Sequence, residues 1–119
     1  MTTVEDLQAI CYRLPATTED VKWDVHLCFN VGGKMYLITS PDEVPPRASF
    51  KVTPEQFEQL VEQPGFRPAS HLGRYHWVDV DDIDRLSLTR WEQLIQESYR
   101  LVAEKLPAKA RRVLGLLAE

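Results

Sequence analysis

The sequence predicts an α+β domain in two layers, a mostly antiparallel sheet with helices packed on one face. Three observations lead there. Apolar residues recur at helical spacing near both ends of the chain, and the period shifts to two in the stretch between them. Gly32-Gly33 then separates two alternating runs, as a two-residue hairpin turn does. Hairpins flanked by amphipathic helices close into two layers around one core. At 119 residues, 44% of them apolar and 27% charged, the chain reads as a single domain over 1–119.

The first helix follows a Thr3 cap, carries Val4, Leu7, Ile10, Cys11 and Leu14 on one stripe, and stops at Pro15. In DVHLCFNV, Val25, Leu27, Phe29 and Val31 alternate with His26, Cys28 and Asn30, which predicts a strand. KMYLIT is the returning strand after the glycines, and ASFKV a third after the proline-rich PDEVPPR. A second helix has Thr53 as N-cap, Pro54 at its first position and Gln56 completing a capping box, with Phe57, Leu60 and Val61 facing inward. Pro64-Gly65 ends it. HLGRYHWVDV, from His71 to Val80, reads as a fourth strand with Tyr75 and Trp77 packed inward. The third helix runs from about Leu88 to Leu106, with Trp91 on its core stripe and Ser98 on the same side. After Pro107, a short stripe of Val113, Leu114 and Leu117 closes the chain. The expected order is α-β-β-β-α-β-α-α. Trp23, ahead of the first strand, is placed over the open end of the core.

Composition excludes several functions. No run reaches the ~20 consecutive apolar residues of a membrane span, and the acidic start MTTVEDLQAI is unlike a signal peptide, so a cytoplasmic protein is expected. Cys11 and Cys28 lack C-x-x-C spacing and read as buried, reduced thiols. There is no P-loop, G-x-S-x-G or H-E-x-x-H, and no nucleophile is placed beside His26, His71 or His76; neither catalysis nor a cofactor is expected. In DVDDID the sixth and twelfth positions of a calcium loop, counted from Asp79, are Asp84 and Arg90, so those acids read as a solvated loop near a helix start rather than a metal site.

The net charge of −4 argues against strong, sequence-independent DNA binding. Its distribution is uneven. Residues 1–43 hold seven acids and three bases, whereas VPPRASFKVTP and PGFRPASHLGRYHWV contain no acid. Those two segments flank the second helix and bring Arg47, Lys51, Arg67, His71, Arg74 and His76. Guanidinium and amide groups on loops between strands are what a phosphate-contacting wing uses. KLPAKARRVLG adds Lys105, Lys109, Arg111 and Arg112.

The ordered set LPATTEDVKW, FNVGGKMYLIT, SFKVTPEQFEQL, PASHLGRYHWVDV and ESYRLVAEKLPAK resembles the MmcQ/YjbR-like family of small bacterial proteins, across Leu14 to Lys109. The resemblance implies a CyaY-like (frataxin-like) fold and DNA binding through a double wing at one end of the sheet. Lys34, Lys51, Pro68, His71, His76, Trp77, Ser98 and Tyr99 match the family pattern, and Lys51, His71 and His76 are the ones implied to face a ligand. Trp77 and Tyr99 suit structural roles equally, and Ser98 is expected to let the third helix approach the sheet. Trp23 departs from the proline-aromatic-glycine pattern of relatives. A frataxin-like iron role would need a dense acidic first helix, and only Glu5 and Asp6 stand there. The expected partner is DNA, bound weakly and with salt dependence, through Arg47, Lys51, Arg67, His71, Arg74 and His76. The alternative is a non-enzymatic domain that binds a protein or small ligand.

Overall fold

A computed structural model describes residues 1–116. Helix α1 (Val4–Tyr12) leads into β1 (Thr17–Lys22), β2 (His26–Val31), β3 (Lys34–Ser40) and β4 (Arg47–Lys51). Helix α2 (Pro54–Leu60), strands β5 (Phe66–Pro68) and β6 (Trp77–Val80), the long helix α3 (Leu88–Glu104) and the short α4 (Ala108–Val113) follow. The six strands form one sheet in the order β1-β2-β3-β4-β6-β5, and every neighbouring pair is antiparallel. The α+β expectation holds.

Local chemistry explains most of the elements. Thr3 and Thr53 each accept a hydrogen bond from the third helical amide, and the cap backbone amides in turn donate to the side-chain oxygens of Asp6 and Gln56. Gly32 and Gly33 take φ of 58° and 78°, the left-handed pair that a tight hairpin needs. Leu27, Phe29, Leu37, Phe50, Val78 and Val80 alternate along their strands and face the helices. Leu7, Trp91, Leu94 and Ile95 meet them from α1 and α3. Full burial of one such side chain stabilises the fold by about 1.5–3 kcal/mol. Trp91 also donates its indole N–H to the Ile83 carbonyl at 2.8 Å.

Several expectations are corrected. TTEDVK forms the edge strand β1 and FRP the edge strand β5, giving six strands instead of four. Both escape pattern reading because β1 is polar on both faces and β5 has three residues ending in proline, which edge positions tolerate. The first alternating run begins at His26, because Trp23 and Asp24 turn the chain with φ of 54° and 61°; Val25 is left exposed in that turn. HLGRYHWVDV is a strand only from Trp77. Gly73–Tyr75 is a single 3-10 turn, and His71 and His76 both have positive φ. Tyr75 is therefore exposed rather than packed inward. Trp77 is buried, but it alternates with Val78 and so lies on the face away from the helices. Trp23 does not cover the core: it is 69% exposed. In the last stripe Leu114 packs on the core, Val113 is exposed, and Leu117 lies outside the described residues.

Candidate nucleic-acid interface

Strand direction sorts the charges. The register places the β2–β3 turn, the last residue of β4 and the first residue of β6 at one end of the sheet. Helix α3 finishes at that end, since a Cβ built on Gly32 would meet the Leu106 side chain at 2.6 Å. Lys34, Lys51, Arg74, Lys105 and Lys109 accordingly cluster there, with Arg112 on α4. No ion pair holds any of these six among the described residues, and all but Lys51 are exposed. Glu104 is taken up by Arg100 at 2.6 Å, and Glu55 stands in the first turn of α2.

The opposite end carries the acids. Asp24 lies in the β1–β2 turn, Asp42 and Glu43 in the β3–β4 loop, and Asp81, Asp82 and Asp84 after β6. Several bases near it are engaged: Lys22 with Asp20, Arg85 with Asp81, and Arg47 and Arg67 with Asp79, while Arg90 at the start of α3 meets only Gln93. Asp82 caps the turn that follows it, and Asp84 accepts from the Thr2 amide at 2.7 Å. Among the described residues no group of three or more His, Cys, Asp or Glu side chains gathers in metal-holding geometry. A seven-residue strand such as β3 is roughly 20 Å long. That exceeds the ~8 Å Debye length at physiological salt, so the acidic end does not cancel the field of the basic end.

The face of the sheet away from the helices forms a second feature. A half-open groove of about 780 Å³ runs over it, with Met35, Ile38 and Ser49 among its lining residues and Trp23, His71 and Leu72 lining it from loops. Asp79 sits in this groove, 9% exposed, between two cations. Arg47 from β4 reaches its Oδ2, Arg67 from β5 donates Nε to the same oxygen at 3.2 Å, and Ser49 donates to Oδ1 at 3.0 Å. The indole of Trp23 meets the His26 ring edge-on at 5.7 Å, and His26 Nδ1 lies 3.0 Å from the Ser40 hydroxyl.

The six candidate residues thus fall into two places. Arg47, Arg67 and His71 line the groove. Lys51, Arg74 and His76 lie at or next to the basic end. Lys51 donates Nζ to the Tyr75 carbonyl at 2.9 Å; burial, then the nearby Lys105, pushes its pKa below the ordinary lysine value. The Arg74 guanidinium lies over the Tyr75 ring, 4.9 Å from its centroid. His76 packs its ring edge-on against Phe57 of α2, a structural role. Lys34 and Lys105 lie outside those six; the sequence marks Lys34 only through the family pattern and Lys105 only as one of the C-terminal bases, and their convergence at one sheet end is a product of the fold. Nothing local to either residue signals it.

Tyr36 and the two thiols are inert by burial. Desolvation is the largest cause at each; it pushes Cys11 up to about 12, Cys28 up to about 11, and the Tyr36 hydroxyl well above its usual value. No helix is long and apolar enough to cross a membrane among the described residues.

Comparison with known proteins supplies kinship. The profile of the YjbR family matches residues 12–101. The uncharacterised protein YbdF of Escherichia coli O157:H7 is 26% identical over 87 residues, covering 71% of this chain and 70% of its own. The crystal structure of Deinococcus radiodurans protein DR2400, a DUF419 domain, superimposes with a TM-score of 0.87 at 34% identity. That match covers 98% of this chain and 91% of DR2400. A Pseudomonas syringae protein of known structure shares the fold, with a TM-score of 0.67 at 23% identity, over 85% of this chain and 98% of its own.

Proposed function

The chain belongs to the YjbR family, and from that premise we propose that it is a non-enzymatic nucleic-acid-binding module whose basic sheet end grips phosphate. The observation that carries the reading is the convergence of Lys34, Lys51, Arg74, Lys105 and Lys109 on one end of an otherwise acidic protein. The β2–β3 hairpin projects Lys34, and the 3-10 turn before β6 projects Arg74 from a second loop at the same end of the sheet. Two such loops astride a backbone would set orientation through phosphate contacts. With few cations and a net charge of −4, binding is weak at physiological salt and steepens as salt falls, each phosphate contact contributing ~0.9 to the slope of log affinity against log salt. Fluorescence anisotropy of labelled single- and double-stranded DNA, titrated across ionic strength, tests this. The expected result is a salt-dependent signal whose slope matches a handful of phosphates. A flat response at low salt removes the reading.

A second reading is a domain that holds a protein or small ligand and has no nucleic-acid role. The exposed aromatics Trp23 and Tyr75 and the groove on the helix-free face favour it. Its signature is a partner that stays bound at high salt.

A further inference from the structure

We propose that the groove on the helix-free face of the sheet binds a small monocarboxylate with an aromatic or apolar body, the carboxylate on Arg67 and the body against Trp23, Met35 and Ile38. The site is independent of the basic sheet end. Its charged groups set the class of ligand. Two guanidinium groups share the single buried carboxylate of Asp79, whose oxygens are already filled by Arg47, Arg67 and Ser49. Arg47 is largely buried in that contact, whereas the Arg67 side chain is 64% exposed and spends only Nε on Asp79. Its two terminal nitrogens make no hydrogen bond within the chain among the described residues, so a planar fork of donors remains at the groove.

Arg47 and Arg67 are balanced by Asp79 and Glu43, so the lining is formally neutral. The exposed Arg67 fork offers a partner to one carboxylate, whereas Glu43 opposes a dianion such as a phosphate monoester. The remainder of the lining argues for an apolar body. Met35, Ile38 and Leu72 offer aliphatic surface, and Trp23 is held at the groove by its turn and by the edge of His26 while leaving most of its surface to solvent. A concave site of this volume, mostly apolar with a few convergent polar groups, has the anatomy of a small-molecule pocket. Ser70 and His71, on the loop after β5, also line the groove.

Naphthoate, titrated into the intact protein by calorimetry, is the probe, with naphthylmethanol as its neutral isostere. Saturable binding at one site per chain is expected, with the alcohol weaker. Arg67→Gln should weaken naphthoate about tenfold or more, the worth of a charge-assisted pair, while Trp23→Ala weakens both probes alike. Arg67 is on an edge strand and Asp79 keeps Arg47 and Ser49, so the Gln variant retains its partner network. Naphthoate that fails to bind, that binds Arg67→Gln as tightly as wild type, or that binds no better than the alcohol overturns the proposal. None of these results bears on the basic sheet end, because Arg67→Gln leaves Lys34, Lys51 and Lys105 in place.

Discussion

The Ser98 hydroxyl donates to the Tyr36 carbonyl at 2.6 Å from within the core, and the same oxygen accepts from the Lys51 amide at 3.0 Å. One side chain of α3 therefore closes the backbone of both β3 and β4 where their ladder stops, at Leu37 opposite Phe50. One buried and one part-buried backbone group depend on it.

Replacing Ser98 by Ala leaves the Lys51 amide without its partner and should cost about 1–3 kcal/mol. Valine adds a branched group where the helix lies against the strands and should cost more. Thermal unfolding of both variants checks the order.

The two glycines of the hairpin are not equivalent. A Cβ on Gly32 meets Leu106 Cδ1 at 2.6 Å, while one on Gly33 meets nothing within 4 Å, and both have positive φ. Gly33→Asn should be nearly neutral, since Asn tolerates that backbone. Gly32→Ala should cost more than about 1 kcal/mol, because left-handed strain and a collision with the α3–α4 corner add. Denaturant midpoints would show the difference.

Burial, then Lys105, depresses the pKa of Lys51. A lysine whose folded pKa is lowered opposes folding in its charged form; that cost is present below the folded pKa and fades as pH rises toward the unfolded value. In an NMR titration Lys51 should titrate below the ordinary lysine value. Lys105→Gln should raise it only partway, because burial is the larger cause. Bound phosphate should also raise it.

Cys11 and Cys28, raised to about 12 and about 11, are thiols rather than thiolates at neutral pH. A disulfide reagent at pH near 8 should label neither in the native protein and both after denaturation. Rapid native labelling of either would contradict their placement in the structure.

What could be read from the sequence was local. Thr3 and Thr53 sit beside their own capping partners, and Gly32-Gly33 dictates its turn without help from the rest of the chain. The shape of the His71–His76 segment was hidden because groups far along the chain hold it: the Val52 amide bonds to the His76 carbonyl and Lys51 Nζ to the Tyr75 carbonyl, and both histidines take positive φ. The candidate site was half legible. Arg47 and Arg67 come from acid-free segments and do meet, but around Asp79, through strand neighbours that only the order β4-β6-β5 creates. Lys34 and Lys105 are far apart in sequence, and their meeting depends on which way α3 runs across the sheet.

The most direct test compares duplex DNA binding, by anisotropy at low salt, for wild type, Lys34→Glu with Lys105→Glu, and Arg67→Gln. Lys34 and Lys105 are exposed and unpaired among the described residues, so the double reversal should fold as wild type does. Binding should be lost in the double variant, with a shallower salt slope for any remainder, and unchanged in Arg67→Gln. Equal binding by wild type and the double variant would contradict the claim that the basic sheet end holds phosphate.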